Sequence, residues 1–169
     1  MARLFGITGY SGAGKTTLLV KLLPLLLARG LTVSTVKQAN PQFDVDTPGK
    51  DSYEHRAAGA GEVMVVSPRR WALMHEYRDA PEDGMEQLLG RLAPVDLVLI
   101  EGFRDWPHAK LEVHRPALGK PLLCASDPTI VAVASDMPLA RLTIPWLALD
   151  DVAAVVVVIV TRTGLQEGR

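Results

Sequence analysis

The feature that most constrains this chain is a glycine-rich stretch near its start, residues 9–16, which reads G-Y-S-G-A-G-K-T. It matches the phosphate-binding pattern G-x-x-x-x-G-K-[ST], and it lies between an apolar run at 4–8 and a leucine-rich segment that begins after Thr16. A strand, a loop and a helix are therefore predicted in the order that this pattern requires. A glycine-rich turn with a chance lysine would not explain the strand and helix signals on either side.

The residue types of this phosphate loop (residues 9–16) predict how it would hold a nucleoside triphosphate. Gly9, Gly12 and Gly14 allow backbone conformations in which successive N–H groups point at phosphate oxygens. We expect Lys15 to reach the β and γ phosphates and the Thr16 hydroxyl to ligate Mg²⁺. The following helix directs its positive N-terminus at the same anion. The predicted nucleotide-binding residues are Gly9, Tyr10, Ser11, Gly12, Ala13, Gly14, Lys15, Thr16 and Thr17.

Composition sets the broad class of protein. A length of 169 residues predicts one domain, here a single P-loop nucleotide-binding domain over residues 1–169. The formal net charge is −1, from 18 basic and 19 acidic residues, which argues against a nucleic-acid partner held by a general basic field. The single cysteine, Cys124, excludes an internal disulfide and leaves no cysteine cluster for zinc.

Two apolar stretches could be mistaken for membrane elements. The first, 18–27, is interrupted by Lys21 and Pro24, and the second, 152–160, is shorter than the roughly 20 apolar residues that a spanning helix needs. The N-terminus shows no secretory pattern. We therefore expect a cytoplasmic protein without a membrane partner.

The segment after the phosphate loop predicts the rest of a βαβ unit. Apolar residues surround the axis of a helix over 16–29, which we expect to be largely buried. Gly30 ends that helix, and alternating β-branched residues at 32–37 predict a second strand parallel to the first. The predicted class is α/β of the P-loop NTPase type, with a mostly parallel central sheet flanked by helices on both faces.

Residues 38–52 contain many turn-forming residues and predict a long loop at the carboxyl end of the second strand. Loops at that end of a parallel sheet face the phosphate site. If the loop is extended, Asp46 or its neighbour Asp44 could reach Mg²⁺ directly or through a water. A solvated acidic loop explains the same residues equally well.

A helix start is predicted next, with Asp51 as its cap and Glu54 reaching back to it. Lys50 and Arg56 lie close to this start, where cations oppose the helix dipole. A nearby phosphate would explain them, and either could then stabilise the charge of a phosphoryl group in transfer, within one subunit or across a dimer. An ordinary solvated surface is the alternative interpretation.

The run V-D-L-V-L-I-E-G at 95–102 predicts a buried strand with a carboxylate near each end. Asp96 lies about 16 Å upstream of Glu101 at roughly 3.3 Å per residue, so the two cannot serve one site. Because the phosphate site lies at the carboxyl ends of parallel strands, Glu101 is predicted to hold Mg²⁺ through a water or to orient the attacking water. Asp96 is expected to begin the strand.

Further elements are predicted as strands at 62–67, 110–115, 122–125 and 130–134 and as helices at 85–92 and 152–160. The last segment is β-branched, as strands often are, but the cap-like Asp150 and the position at the end of an α/β domain favour a helix. In 110–115 the alternation turns Lys110, Glu112 and His114 outward, either to solvent or to a partner.

Asp136 follows the strand at 130–134, at a carboxyl end where many guanine-binding proteins place an aspartate that reads the base. The full [NT]-K-x-D pattern of those proteins does not occur in this chain. The residues alone therefore do not distinguish guanine from adenine, and Asp136 is retained as a candidate base contact.

Four stretches together resemble the molybdopterin-guanine dinucleotide biosynthesis protein B (MobB) family: G-Y-S-G-A-G-K-T-T-L-L at 9–19, F-D-V-D-T-P-G-K-D-S-Y-E-H-R-A-A-G-A at 43–60, D-L-V-L-I-E-G-F-R at 96–104 and K-L-E-V-H-R at 110–115. The second is the most specific, since the phosphate loop alone is shared by many activities. The resemblance implies a homodimeric protein that binds GTP with Mg²⁺, hydrolyses it weakly, and assists the nucleotidyltransferase MobA in joining GMP to molybdopterin. Catalytic roles would fall to Lys15, Glu101 and Arg56.

The chain departs from this family in one place. Family members commonly carry histidines just after the second strand, whereas residues 37–41 here read K-Q-A-N-P, so no role of those histidines is carried over. Two functions of other classes stay open. A small-molecule kinase would need an acceptor site with a carboxylate near the γ phosphate, and an NTPase metallochaperone usually has Cys or His pairs, which this chain lacks.

Overall fold

The computed structural model describes residues 2–165. The described chain divides into two compact units, of which one comprises the residues up to Gln38 and those from Ala93 onward, and the other comprises Ala39–Leu92. We call them the sheet unit and the inserted unit.

The sheet unit is built on parallel strands. Its strands are β1 (Arg3–Thr8), β2 (Val33–Lys37), β5 (Leu97–Glu101), β6 (Lys110–His114), β7 (Ile130–Ser135) and β8 (Trp146–Ala148), and its helices are α1 (Lys15–Ala28) and α4 (Val152–Thr163). Among the described residues these strands form one six-stranded sheet in the order β2-β5-β1-β6-β7-β8, with every neighbouring pair parallel. The predicted α/β class with a parallel central sheet is confirmed.

The order of the strands places the ends of three of them together. β5 lies between β1 and β2, and its last residue, Glu101, is in register with Ile7 of β1 and with Lys37 of β2. The phosphate loop leaves β1 immediately after Thr8, which is buried. The loop therefore begins at the carboxyl end of β1, beside the carboxyl ends of β5 and β2, as the βαβ pattern predicts.

Helix α1 is buried on one face. Leu18, Leu22 and Leu26 lie in the core, whereas Val20 and Leu27 are more than half exposed. The prediction of a largely buried helix is therefore wrong for half of its surface, because α1 packs against α4, β1 and β2 only on the side that faces them.

Helix α4 confirms the helix predicted at 152–160. The side chain of Asp151 accepts a hydrogen bond from the Ala154 N–H at 3.0 Å and so caps its first turn. Val155, Val156 and Ile159 are buried in the same core as α1. Tertiary packing thus overrides the strand propensity of this β-branched segment.

Strand β6 corrects one prediction. Lys110, Glu112 and His114, which the alternation turned outward, are all buried, because β6 is an interior strand between β1 and β7 and both of its faces are covered. The Lys110 ammonium donates to the carbonyls of Trp106 and His108 and to the Thr129 hydroxyl.

The carboxylate of Glu112 explains why the strand predicted at 122–125 is wrong. It accepts hydrogen bonds at 2.9 Å from the backbone N–H groups of Leu123 and Cys124. Those N–H groups begin a 3₁₀ turn, Leu123–Ala125, where a strand was predicted. The sequence pattern also did not reveal β8, a strand of three residues at the sheet edge.

The inserted unit contains a hairpin of its own. Its elements are α2 (Asp51–Ala57), β3 (Glu62–Ser67), β4 (Arg70–His75) and α3 (Met85–Gly90). β3 was predicted, but it pairs antiparallel with β4 in a separate sheet rather than joining the central one. The sequence patterns did not predict β4. The predicted helix at 85–92 is present as α3.

A buried histidine beside β1 yields a stability prediction. His108 is 7% exposed, and neither ring nitrogen has a hydrogen-bond partner among the described residues. Burial and then the charge of Lys110 lower its pKa to about 4 from an ordinary 6.5. Between these values the unfolded chain binds a proton that the native protein excludes, so stability is lost as the pH falls from 6.5 towards 4. Between pH 7 and pH 4.5 this effect should lower the free energy of unfolding of the wild type by about 2 kcal/mol. In His108→Leu that loss should be absent.

Urea unfolding of both proteins at the two pH values measures this difference. His55 is exposed, and His55→Leu serves as the control that should leave the pH dependence unchanged. An identical loss of stability in wild type and His108→Leu would contradict the assignment.

Candidate phosphate-binding site

The phosphate loop has the backbone that its glycines predict. Gly9 has φ 141° and Gly14, the residue before α1, has φ 104°, conformations that residues with a β-carbon rarely adopt. A β-carbon on Gly9 would also lie 2.3 Å from the carbonyl oxygen of Val113. The Ala13 N–H donates to the Tyr10 carbonyl at 3.2 Å and closes a turn within the loop. The loop is thus packed tightly against β6.

Lys15, the first residue of α1, folds back over the loop. Its ammonium donates to the carbonyl oxygens of Gly9 at 2.8 Å and Tyr10 at 3.1 Å. Burial lowers the pKa of Lys15 from its ordinary value, Glu101 opposes that shift, and Lys37 adds to it. The charge of Lys15 therefore lies over the concave side of the loop together with the groups at the end of β5.

Thr16 and Glu101 meet where a metal ligand pair was predicted. The Thr16 hydroxyl donates to Glu101 Oε1 at 2.8 Å, and the Lys37 ammonium lies 3.3 Å from the same oxygen. A hydroxyl and a carboxylate are the oxygen donors that Mg²⁺ prefers. These two residues therefore fit a magnesium ion of the kind that P-loop proteins use.

A cavity of about 360 Å³ opens over the phosphate loop. The residues that bound it come from the ends of β1, β2 and β5 and include Gly9, Tyr10, Lys15, Gln38, Gly102 and Asp105. Gln38 accepts the Phe103 N–H through its side-chain oxygen at 2.7 Å and packs where a β-carbon on Gly102 would lie. Gln38 thus connects the end of β2 to the turn after β5.

A second cavity, about 220 Å³, lies beside the start of α1 and is bounded by Thr17, Lys21, Arg115, Asp136 and Asp150 among others. Arg115 donates to Asp136 Oδ2 at 2.8 Å and to the Ala13 carbonyl at 3.0 Å. It therefore links Asp136 to the phosphate loop. The sequence reasoning missed this role of Arg115, although the residue directly follows β6, the strand beside β1.

The remaining predicted site residues belong to the inserted unit and meet one another there. Arg56 donates to Asp44 at 2.8 Å and to Glu76 at 2.7 Å, and its Nε lies 3.4 Å from Asp46. These carboxylates hold the pKa of Arg56 above its ordinary value, and Arg56 lowers the pKa of Asp44. Each of the three guanidinium nitrogens of Arg56 therefore has a carboxylate partner.

Asp46 has a second role in that cluster, because its Oδ1 accepts the Ser52 hydroxyl at 2.9 Å and the Thr47 N–H. The prediction of Asp51 as the cap of α2 is wrong. Lys50 is the capping residue, with an extended backbone and no side-chain cap bond, and Asp51 is the first helical residue. Asp46 and Arg56 thus contact each other within the inserted unit, where Lys50 directly precedes α2, and Thr16 and Glu101 contact each other in the sheet unit.

Within residues 2–165, no group of three or more His, Cys, Asp or Glu side chains is arranged to hold a metal ion. No helix within the same range is long and apolar enough to cross a membrane.

The first strand of a parallel sheet runs here through a glycine-rich loop into a helix, the loop's lysine folds over it, and its threonine meets an acid from the neighbouring strand. These features define the P-loop NTPase class. Within that class, the family model described as "MobB: Molybdopterin guanine dinucleotide synthesis protein B" matches residues 4–136. The chain belongs to this family.

Relatives and solved structures agree with this assignment. A "Molybdopterin-guanine dinucleotide biosynthesis adapter protein" of Escherichia coli (strain K12) is 43% identical over 90% of this chain and 88% of its own length. A protein of the same description from Haemophilus influenzae is 44% identical over 80% of this chain and 76% of its own length. The crystal structure of a molybdopterin-guanine biosynthesis protein B superposes with a TM-score of 0.74 at 27% identity, covering 94% of this chain and 98% of that one.

Proposed function

We propose that this chain is a GTP-binding accessory protein of molybdenum cofactor biosynthesis. It would bind GTP with Mg²⁺ and assist a MobA-like nucleotidyltransferase that joins GMP to molybdopterin. The observation that carries the proposal is the hydrogen bond between Thr16 and Glu101 beside a phosphate loop over which Lys15 is folded, in a chain whose relatives are described as adapter proteins for this pathway.

The phosphate tail of the nucleotide would lie in the cavity over the loop. The N–H groups of Gly9, Tyr10, Ser11, Gly12, Ala13, Gly14, Lys15, Thr16 and Thr17 would surround it. Lys15 now donates to two loop carbonyls, and it would exchange them for the β and γ phosphate oxygens, which bear more charge.

The magnesium ion would be held by Thr16 and Glu101, and it would neutralise charge on the phosphates when bound. Asp46 is a further candidate ligand of the same ion. Its carboxylate is now engaged by Ser52 and Arg56, so it would have to leave them to contribute.

The base would lie in the cavity beside α1. Asp136 Oδ2 now accepts from Arg115, and its carboxylate could accept the N1 and N2 hydrogens of guanine, which adenine cannot offer in the same arrangement. Arg115 would then position Asp136 through its hold on the phosphate loop. This arrangement favours GTP over ATP.

Hydrolysis is expected to be slow. Arg56 is the candidate for stabilising charge on the transferring phosphoryl group, and Lys50 for contacting the phosphates. Arg56 is bound by Asp44 and Glu76, so it can serve a phosphate only after these pairs break. A weak GTPase that depends on a partner fits this arrangement better than rapid turnover.

Titration of the purified protein with Mg²⁺-GTP and Mg²⁺-ATP by calorimetry tests the proposal. We expect saturable binding of GTP and weaker binding of ATP. Absence of GTP binding would reject it. Co-purification with the nucleotidyltransferase in the presence and absence of GTP then tests the adapter role.

The hairpin of the inserted unit supports a homodimer. Met64 pairs with Leu73 and Val66 with Trp71 across β3 and β4, so these side chains share one face. All of them are exposed, Val66 by 68% and Trp71 by 64%. An isolated hairpin with an apolar face is marginally stable in water, and a second copy would cover the face by a two-fold contact.

Trp71→Asp should therefore convert a dimer into a monomer, because it places a charge within the apolar face. Light scattering coupled to gel filtration measures the mass. Val157 on α4 is also half exposed, and Val157→Asp is the control that should stay dimeric. A monomeric wild type, or a dimeric Trp71→Asp, would reject this contact.

One observation favours a second candidate function. A cavity of about 660 Å³ is bounded by Tyr10, Arg104, Asp105, Trp106 and Asp127 among others, and it shares Tyr10, Arg104 and Asp105 with the cavity over the phosphate loop. A small-molecule kinase would seat its acceptor there, with Asp105 near the γ phosphate. Kinases typically turn over at about 1–100 per second, so a turnover screen with candidate acceptors separates this function from that of an adapter.

A further inference from the structure

The ammonium of Lys37 lies where the two candidate magnesium ligands meet. Its Nζ is 3.3 Å from Glu101 Oε1 and 3.4 Å from Thr16 Oγ1, and those two oxygens are 2.8 Å apart. A cation of this chain therefore already contacts the pair of oxygens assigned to Mg²⁺.

The fold places Lys37 there. It is the last residue of β2 and is in register with Glu101, so their side chains leave neighbouring strands side by side. The next residue fixes that strand end, because the Gln38 N–H donates to the Glu101 carbonyl at 2.8 Å and the Gln38 side chain accepts from Phe103 at 2.7 Å. The proximity follows from the sheet register.

Lys37 and a magnesium ion cannot occupy this place together. Mg²⁺ requires near-octahedral oxygen ligands at about 2.0–2.1 Å, and a bound ion between these oxygens would overlap and repel the ammonium. The Lys37 side chain is 57% exposed, whereas that of Glu101 is 9% exposed. Lys37 is therefore the group with room to move away, and Glu101 is the group that stays.

We propose that Lys37 is a displaceable counter-ion of the metal site: its ammonium holds Glu101 and Thr16 in place before the metal arrives and competes with Mg²⁺ for them. Lys37 acts through these ligands and is a positioning residue. This inference rests on the proposed function, since it takes Thr16 and Glu101 as the metal ligands.

The test compares wild type with Lys37→Met, which keeps an unbranched side chain one atom shorter and removes the charge. A fluorescent GTP analogue reports nucleotide affinity in EDTA and then during a titration with Mg²⁺. We expect the half-saturating Mg²⁺ concentration to fall about two- to fivefold, the upper part of the range of an exposed ion pair, while affinity for the analogue in EDTA decreases. A merely structural lysine would change neither quantity or would weaken both.

A second readout does not need the nucleotide. Mn²⁺ binding to the nucleotide-free protein, followed by electron paramagnetic resonance, should tighten in Lys37→Met and stay close to wild type in Lys37→Arg. Arg3 is exposed at the opposite end of β1, and Arg3→Gln controls for the change in net charge. If the wild type binds no GTP, the proposed function is rejected. The Mn²⁺ comparison would still show whether Lys37 competes with the metal ion for Thr16 and Glu101.

An unchanged or higher half-saturating metal concentration in Lys37→Met overturns the inference. The same conclusion follows if Lys37→Arg behaves like Lys37→Met, because a retained charge should retain the competition. Circular dichroism of each variant verifies that the fold is intact.

Discussion

Lys15→Ala is expected to weaken binding of GTP by at least about 100-fold, because a charge-assisted hydrogen bond contributes up to about 3 kcal/mol and this ammonium would make more than one to the phosphates. Within residues 2–165, Lys15 donates hydrogen bonds only to carbonyl oxygens of its own loop, at Gly9 and Tyr10. Its removal should therefore cost little stability. Calorimetric titration with Mg²⁺-GTP measures the affinity, and thermal unfolding without nucleotide measures the stability.

The matched control for Lys15 is Arg3→Ala, which removes one positive charge at the far end of β1. It should bind GTP as the wild type does. If Lys15→Ala binds GTP with wild-type affinity, the phosphate loop does not hold the nucleotide and the proposed function fails.

Gly9→Ala is expected to lower the free energy of unfolding by about 3 kcal/mol or more, the scale of severe local strain. Two causes add at this residue. Its φ of 141° disfavours any side chain, and the new β-carbon would lie 2.3 Å from the Val113 carbonyl, a backbone atom that cannot turn aside. Relief of the contact would push the loop away from β6, so affinity for GTP should fall as well. Chemical unfolding and GTP titration measure the two effects.

Gly12→Ala separates the two causes. Gly12 also has a positive φ, 80°, but a β-carbon there would meet only Leu118, at 3.8 Å. It should cost about 1–2 kcal/mol, the strain of a left-handed backbone alone. Equal destabilisation by the two variants would show that the approach of Val113 to the loop is not limiting.

Sequence patterns were sufficient where local chemistry and burial agree. The strand before Gly9, the helix after it and the strand that ends in Glu101 each carry a periodic or continuous apolar run, and the loop glycines have the positive φ values that their spacing predicts. The meeting of Thr16 with Glu101 followed from one rule, that phosphate sites lie at the carboxyl ends of parallel strands.

Patterns failed where a distant residue decides the structure. The alternation in β6 is typical of an exposed strand, but its position between β1 and β7 buries Lys110 and Glu112. Glu112 in turn accepts the backbone N–H of Leu123, where the chain forms a 3₁₀ turn and not a strand. Hydrophobic periodicity does not reveal such a contact, because it records where apolar residues recur and not which polar groups pair.

The same limit applies to the site. Lys37 and Arg115 lie in it because of strand register and because of a bond to Asp136. Neither belongs to a motif that the sequence reasoning used for binding. Their places in the site depend on which strands are neighbours in the sheet, and no local sequence pattern predicts that order.

The position of β5 between β1 and β2 has a consequence for how the protein is made. Glu101 reaches Thr16 from 85 positions along the chain, so a ribosome must synthesise the whole intervening segment before the loop acquires its acid. The first two strands emerge early with no strand between them to join their edges. The acid that completes the phosphate site is therefore added only after the loop and α1 have been made.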